Sequence, residues 1–452
     1  MRLSIIGLGK LGAPMAAVMA HKGHTVIGVD INPAYVEAVQ QGRAPVSEPG
    51  LGEMILAHRD RLCATSHYED AILATEATFV IVPTPSDADG TFSLRFVLNA
   101  AERIGAALRK KKSWHLVVLS STVMPGSTAG KLIPVLESYS GKQCGADFGV
   151  CYNPEFIALG SVIRDMLNPD MILIGESDQR SGDILETLYH GLCESKPRIQ
   201  RMNYVNAELT KLSVNTFVTT KISYANMLAE VCETLPGADV DVVTSAIGCD
   251  SRIGRKYLKG AMGYGGPCFP RDNIAFSSLA RSHGVAPLLA EATDDVNRHQ
   301  TTRIADLVLS RLHVGGVAAV LGLSYKADTD VVEESQGLGV ARRLLERGAK
   351  VRVYDPAAMD NARPLLQGKV TFAKSAAECT READVIAITT PWPVFRTLSP
   401  QDFKTGHSKP VILDCWRVLR SESFTDKAEI LTLGSGAASP VPTHIASAAE
   451  AD

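Results

Sequence analysis

Leu3-Ser4-Ile5-Ile6-Gly7-Leu8-Gly9-Lys10-Leu11-Gly12 is the stretch from which the rest of the chain is read. A short β-type apolar run enters a Gly-x-Gly-x-x-Gly turn, and Ala13, Ala16, Ala17 and Ala20 continue at helical spacing to His21. Residues 25–29, Thr-Val-Ile-Gly-Val, predict a second strand that ends at Asp30. Strand, glycine turn, helix, strand is the opening unit of a doubly wound sheet. The first glycine permits the tight turn, the second lets backbone approach a pyrophosphate, and the third allows close strand–helix packing. Gly7, Gly9, Lys10, Leu11 and Gly12 are therefore the candidate pyrophosphate contacts, at a helix N-terminus that offers N–H donors and positive dipole. Asp30 is placed to accept the two ribose hydroxyls and to repel a 2′-phosphate, which points to NAD as the cofactor.

Outward from this turn, buried-strand patterns recur at 78–82, 116–119, 149–152 and 171–174, with helical patterns at 95–108 and 127–137 between them. Strands alternating with helices predict a parallel sheet. Residues 206–234 then read as one long helix, with shorter helical pieces to about 279. A second alternating section follows, with strands at 317–321, 350–354, 385–389 and 411–413 and a helix at 335–347. After 433 the chain turns Gly-, Ala-, Ser- and Pro-rich, a composition that predicts a disordered tail. The fold class expected is α/β, two Rossmann-like doubly wound parallel-sheet domains around a helical middle. The divisions fall at 1–200, 201–300, 301–434 and a tail at 435–452.

Composition narrows the function. The 452 residues exceed one ordinary domain. Forty-six Lys plus Arg against 49 Asp plus Glu leave no basic footprint for nucleic acid. No apolar run reaches the roughly 18 residues that span a bilayer, so no membrane partner is expected. The nine cysteines are odd in number and contain no CxxC or zinc-spaced His–Cys cluster, so no metal is expected. The N-terminus enters its strand directly, without a signal-peptide pattern, and the expected location is the cytoplasm.

Two loops follow strands of the first sheet, 82–85 with Thr84 and 120–126 with Thr122. Each reads either as a cofactor contact at the carboxyl edge of the sheet or as ordinary turn chemistry. Residues 263–272, Gly-Tyr-Gly-Gly-Pro-Cys-Phe-Pro-Arg-Asp, differ from the other cysteine contexts. Three glycines open a loop, and Asp272 follows Cys268 by four residues. That suits a nucleophile beside a carboxylate that steers water, and equally a structural turn around a buried thiol. Lys211 and Asn215 lie four apart on one face of the long helix. An ammonium beside a carboxamide can stabilise an oxyanion, while the plainer reading is a solvated Lys beside a loop-bonding Asn. Glu208 reads equally as an ordinary helix partner.

Taken together these motifs resemble the UDP-glucose/GDP-mannose dehydrogenase family, from residue 1 to about 433. Gly7–Gly12 looks like the family's NAD turn, Ser121-Thr122-Val123 with Pro125-Gly126 like its Ser-Thr-Val loop, and Asn153-Pro154-Glu155-Phe156 like its Asn-Pro-Glu-Phe segment. Lys211-x-x-x-Asn215, Gly265-Gly266-x-Cys268 with Asp272, and Gly322-Leu323-Ser324-Tyr325-Lys326 complete the match. The resemblance implies a four-electron oxidation of a sugar hydroxymethyl to a carboxylate, UDP-glucose to UDP-glucuronate by default, with two NAD. Cys268 would carry thiohemiacetal and thioester, Lys211 and Asn215 would hold the oxyanion, and Asp272, Thr122 and Glu155 would serve the water and proton network. Glu155, Phe156, Lys211, Asn215, Arg252, Tyr257, Lys259, Tyr264, Gly265 and Lys326 would contact the nucleotide sugar. Arg252 would reach a neighbouring subunit's site, which implies a homodimer built on the long central helix.

Two positions depart from the family pattern. Leu159 stands where a second Glu is usual, and Glu333 stands where an Arg approaches the cofactor. A carboxylate facing cofactor phosphates is unfavourable unless it turns away or pairs with a cation. Another nucleotide sugar (a UDP-N-acetyl-hexosamine or GDP-mannose) is the alternative substrate. A two-electron β-hydroxyacid dehydrogenase and an NAD-binding sensor without turnover are the other function classes.

Overall fold

Strand β1 (Arg2–Ile6) is buried at four of its five residues, as a central strand covered on both faces must be. Around it lie β2 (Thr25–Val29), β3 (Leu62–Thr65), β4 (Ala77–Val80), β5 (His115–Leu119), β6 (Phe148–Tyr152), β7 (Met171–Glu176) and β8 (Arg198–Met202). They form one sheet in the order β3-β2-β1-β4-β5-β6-β7-β8. Alternate residues feed two core clusters, one through Leu3, Ile5, Phe79 and Val118, the other through Ile6, Val80, Val117 and Leu119. A period of two sends them to opposite faces. The computed structural model describes residues 1–436 apart from 367, 405–408, 420–423, 425 and 426.

All neighbouring strands in this sheet run parallel except β6 and β7, where Tyr152 faces Gly175 in an antiparallel register. The connection from β6 therefore leaves and re-enters at one end of the sheet. Residues 153–170, with the helix Val162–Leu167, stay at the carboxyl edge. That edge is also where the strand order reverses between β1 and β4, the position at which doubly wound sheets open a ligand crevice.

The second sheet contains β9 (Val317–Leu321), β10 (Lys350–Tyr354), β11 (Thr371–Phe372), β12 (Val385–Ile388), β13 (Val411–Asp414) and β14 (Glu429–Thr432). Its order, β11-β10-β9-β12-β13-β14, is parallel throughout and repeats the 3-2-1-4-5-6 layout of the first sheet's first six strands. The fold is two parallel-sheet α/β domains with a long central helix, Tyr204–Thr234. Further helices span Val240–Gly248, Phe269–Ser282 and Leu288–Arg311. The chain divides into two compact units, Met1–Asn215 with Arg271–Pro287, and Thr216–Pro270 with Leu288–Asp452. The expected tail at 435–452 lies outside the described residues from 437 onward, while Ser435 bridges Asp239 and the Gly436 N–H donates to the Ala238 carbonyl at 2.9 Å.

Among the described residues, no helix is long and apolar enough to cross a membrane, and no cluster of His, Cys, Asp and Glu is placed to hold a metal. The nine cysteines form no disulfides.

Candidate active site

The glycine turn after β1 is shaped by what its missing side chains would strike. Gly7 has φ +100°, and a Cβ there would fall 2.5 Å from the Ile81 carbonyl oxygen. A Cβ on Gly12 would collide with the Gly7 carbonyl oxygen, so the third glycine seats the helix Gly12–His21 against the strand. A Cβ on Gly9 would meet nothing within 4 Å, which leaves open space above the turn. No side chain caps that helix. Open space over the second glycine and an uncapped helix N-terminus fit a pyrophosphate. Asp30, the residue after β2, accepts the Leu8 N–H at 2.7 Å on one oxygen and the Asn32 N–H at 2.8 Å on the other. Each oxygen keeps further acceptor capacity for a ribose hydroxyl. Lys10 and Leu11 are the turn residues between Gly9 and Gly12. The first sheet thus fits NAD.

The two neighbouring loops are tied together. Thr84 Oγ1 donates to the Thr122 carbonyl at 2.8 Å, and Ser121 Oγ accepts the Val82 N–H at 2.9 Å and donates to its carbonyl at 2.7 Å. Below them Glu208, with no exposed surface, accepts from the Gly126 N–H (2.6 Å), the Thr128 N–H (2.8 Å) and the Thr128 hydroxyl (2.6 Å). Burial pushes its carboxyl up, and those three bonds oppose the shift.

Five of the candidate residues, Thr122, Glu155, Lys211, Asn215 and Asp272, belong to this first unit. Asp272 is 1% exposed. Asn215 Nδ2 donates to one of its oxygens at 2.6 Å, and Arg271 donates to the other through Nε and Nη2 at 3.3 and 3.2 Å. Arg271 also donates to the Thr84 carbonyl at 3.2 Å and lies 4.6 Å from the centre of the Phe92 ring. One guanidinium therefore links the Thr84 loop to Asp272. Lys211 Nζ donates to the Glu155 carbonyl at 2.6 Å and stands 4.7 Å from the centre of the Phe156 ring.

Glu155 lines a cavity of about 10 Å³ with Met15, Val18, Met19, Met166 and Tyr189 among its walls. Burial pushes the carboxyl up to about 7, against the Lys211 ammonium and the Tyr189 hydroxyl, which lies 3.5 Å away. Tyr189 also donates to Asn153 Oδ1 at 2.5 Å, and Asn153 Nδ2 donates to the Leu173 carbonyl at 2.9 Å. Leu159 packs partly buried against the first core cluster. Beside it Glu48 supplies a carboxylate to the Gly160 and Val162 N–H groups at 2.9 and 2.7 Å.

Cys268 is exposed and belongs to the second unit, immediately before the helix Phe269–Ser282. Its glycines serve close packing within that unit. Gly266, at φ +83°, donates to the Glu333 carbonyl at 3.1 Å, and a Cβ there would fall 2.5 Å from the Tyr325 ring. A Cβ on Gly265 would collide with the Glu334 carbonyl. The Tyr264 backbone is bracketed by Asn297, at 2.7 and 3.0 Å, and by Gln336 at 3.0 Å, while its hydroxyl donates to Asp294. Burial, then the Asp294 bond and charge, push the Tyr264 hydroxyl well up. Glu333 thus meets the cysteine loop through its backbone carbonyl.

Arg252 lies apart on an exposed loop, paired with Asp250 at 2.6 Å. Tyr257 is exposed at φ +66°, with its ring centre 6.2 Å from that of Phe269. Lys259 is exposed, and Lys326 is partly exposed next to Tyr325. Sequence reasoning passed over Arg271, Tyr189 and Glu48, and left Glu208 as a plain helix partner. Only Arg271 carried a signal, its place beside Asp272 in the cysteine motif.

Comparison with known proteins matches three domains of one family along the chain. The UDP-glucose/GDP-mannose dehydrogenase family's NAD binding domain matches residues 1–193, its central domain 205–299 and its UDP binding domain 319–421. A UDP-glucose 6-dehydrogenase of Haloferax volcanii is 39% identical over 405 residues, 89% of this chain and 94% of that protein. A GDP-mannose 6-dehydrogenase of Azotobacter vinelandii is 36% identical over 78% of this chain and 81% of its own. The structure of a UDP-glucose dehydrogenase from Pyrobaculum islandicum superposes with a TM-score of 0.86 at 36% identity, covering 96% of this chain and 98% of that one.

Proposed function

Because the chain belongs to the UDP-glucose/GDP-mannose dehydrogenase family, we propose that it oxidises the C6 hydroxymethyl of UDP-glucose to the carboxylate of UDP-glucuronate, with two NAD reduced per sugar. The observation that carries this reading is the Asn215–Asp272–Arg271 cluster with Lys211 behind an NAD turn, on a chain that also presents Cys268. A two-electron alcohol dehydrogenase has no need of such a thiol.

Bound NAD supplies the hydride acceptor in both oxidations. Gly7, Gly9, Lys10, Leu11 and Gly12 hold its pyrophosphate, Asp30 its ribose, and Thr84 and Thr122 flank it. In the first oxidation the alcohol loses a hydride and a proton and becomes the aldehyde. The Cys268 thiol then adds to the aldehyde carbon as a thiohemiacetal, so the aldehyde is retained between two cofactor visits. Loss of a second hydride and proton gives the thioester. Water adds to its carbonyl and the thiol leaves, regenerating Cys268. Lys211 and Asn215 donate to the oxyanion in these steps, a role in which one donor is worth roughly 3–4 kcal/mol. Asp272 orients the attacking water, and Glu155 and Thr122 belong to the same proton and water network. Phe156, Arg252, Tyr257, Lys259, Tyr264, Gly265 and Lys326 are the substrate contacts proposed with them.

In this reading 1–200 binds NAD, 201–300 carries the central catalytic and dimer-forming segment, and 301–434 binds the nucleotide of the substrate. The protein works as a homodimer in which Arg252 reaches the neighbouring site. Nine cysteines without a disulfide suit a reducing cytoplasm.

The test is a panel of nucleotide sugars read by NADH absorbance. Two NADH per UDP-glucose are expected, and Cys268→Ser should abolish the second. One NADH per turnover, insensitive to Cys268→Ser, overturns the four-electron reading. The Azotobacter relative favours one rival substrate, and faster turnover of GDP-mannose than of UDP-glucose would establish it.

A further inference from the structure

The second sheet repeats the NAD turn of the first and then builds over it. Gly7 and Gly322 follow the first strand of their sheets at φ +100° and +109°, and each donates to the last carbonyl region of the next strand over, Val29 and Tyr354, at 2.8 Å. Leu8 and Leu323 each donate their N–H at 2.7 Å to a carboxylate one residue further on, Asp30 and Asp355. Gly12 and Gly337 pack so closely that a Cβ on either would collide with the Gly7 or Gly322 carbonyl. Asp355 is therefore the counterpart of the ribose-facing Asp30.

Its surroundings have changed. Four residues separate Gly7 from Gly12, whereas fourteen separate Gly322 from Gly337. Asp30 is partly exposed, but Asp355 is 1% exposed. One Asp355 oxygen accepts from the Leu323 N–H (2.7 Å), the Ser324 N–H (2.9 Å), the Ser324 hydroxyl (2.8 Å) and Trp392 Nε1 (3.2 Å). The other accepts from the Ala357 and Ala358 N–H groups at 2.9 and 2.8 Å. Six donors fill the carboxylate and leave no capacity for a ribose. The helix that starts at Gln336 is capped by Ser335, unlike the uncapped helix at Gly12.

The longer loop makes the cysteine's bed. Held at Ser324, it turns back where the Tyr325 N–H donates to the Val331 carbonyl at 3.0 Å. It then presents the Tyr325 ring, the Glu333 carbonyl and the Glu334 carbonyl to Gly265 and Gly266. Cys268 lies two residues beyond Gly266. We propose that Asp355 is a positioning residue for Cys268, acting through the loop 323–335. A carboxylate whose counterpart in the first sheet meets a ribose here fixes the platform of a nucleophile. The inference rests on the reading of Cys268 as the thiol that retains the aldehyde.

A loosened platform lets the aldehyde escape before the thiol captures it, which general loss of stability does not do. The experiment uses the full chain with Asp355→Asn, Ser324→Ala and Trp392→Phe, each checked for folding by its melting curve. Asp355→Asn is expected to lower kcat on the order of tenfold to a hundredfold, the scale of a nucleophile displaced by about 1 Å. KM for NAD should stay put, NADH per UDP-glucose should fall below two, and a carbonyl-trapping amine should capture sugar aldehyde. The two milder variants, each removing one bond to Asp355 together with the Trp392–Ser324 bond, should leak in the same direction and decide the matter if Asp355→Asn does not fold. Folded variants that keep two NADH, trap no aldehyde and hold kcat within twofold overturn the proposal, as does a raised KM for NAD without leakage. Cys268→Ser runs alongside: two NADH from that variant would overturn the thiol reading itself.

Discussion

Glu155 shows how one carboxyl couples the site to pH. Burial lifts it from an ordinary 4.5 to about 7, and the Lys211 charge and Tyr189 hydroxyl only partly oppose this. The charged group facing it is the Lys211 ammonium, while the Cys193 thiol, itself pushed up to about 11 by burial and then by the Glu155 charge, stays neutral in this range. Because the folded value is the higher one, the folded chain holds this proton more tightly than the unfolded chain. The stability it contributes is complete below the unfolded value near 4.5 and is lost as pH rises through about 7. Glu155→Gln cannot lose a proton, so relative to the native chain it should gain stability between pH 5 and 8, by up to ~3 kcal/mol. Urea unfolding of both proteins across that range checks the difference, and parallel pH profiles would refute it. At this scale the sequence singled out Lys211 with Asn215 and Cys268 with Asp272 as candidates, because the spacing within each pair is local. It did not show Tyr189, which meets Asn153 from 36 residues away on a helix with no motif of its own.

At the scale of elements, the long helix Tyr204–Thr234 acts through a buried anion. Glu208 gathers the Gly126 N–H, the Thr128 N–H and the Thr128 hydroxyl, and so fixes the start of the turn Thr128–Leu132 just after the Thr122 loop. Glu208→Ala would leave those donors buried without their acceptor, at about 1–3 kcal/mol for each donor that finds no water. A loss of about 2–4 kcal/mol is expected, with the urea midpoint lowered and the m-value unchanged. A midpoint equal to that of the native chain would show that the helix does not carry the loop. The strands legible in sequence were those buried on both faces, such as β1, β4, β5 and β12, whose residues are mostly apolar. The strands missed were β3, β8, β11 and β14. These are short or polar strands towards the sheet edges; Arg-Ile-Gln-Arg-Met of β8 has no apolar alternation to read. The helix Leu288–Arg311 was missed for a related reason: its buried face includes Asn297, Gln300 and Thr301, which bond the loop around Ala261 and Tyr264 or Gln336.

For the molecule as a whole, the long helix is inverted relative to an ordinary surface helix. Its buried side includes Glu208, Lys211, Asn215, Thr219, Ser223 and Asn226, at close to helical spacing. Its exposed side carries Phe217 (65% exposed), Tyr224 (47%), Met227 (46%) and Val231 (48%). Of these, Lys211 and Asn215 are the proposed oxyanion donors, which act more strongly when desolvated, while Glu208, Ser223 and Asn226 bond neighbouring backbone. Large apolar residues outside at intervals of three, four and seven have no such reason in a single chain, and a contiguous apolar stripe marks an interaction surface. The heptad step from Phe217 to Tyr224 to Val231 suits a second copy of the same helix packed along it. The native protein should therefore sediment as a dimer at micromolar concentration, and Phe217→Glu with Met227→Glu should convert it to monomers. Two buried carboxylates facing an apolar partner surface cost far more than a dimer of this kind can absorb. If Arg252 serves the neighbouring site, the monomer should also lose turnover while its NAD affinity, which belongs to the turn at Gly7–Gly12, stays within a factor of about two. A native chain that sediments as a monomer, or a double variant that remains dimeric, would mean that the apolar stripe does not face a second copy of this helix.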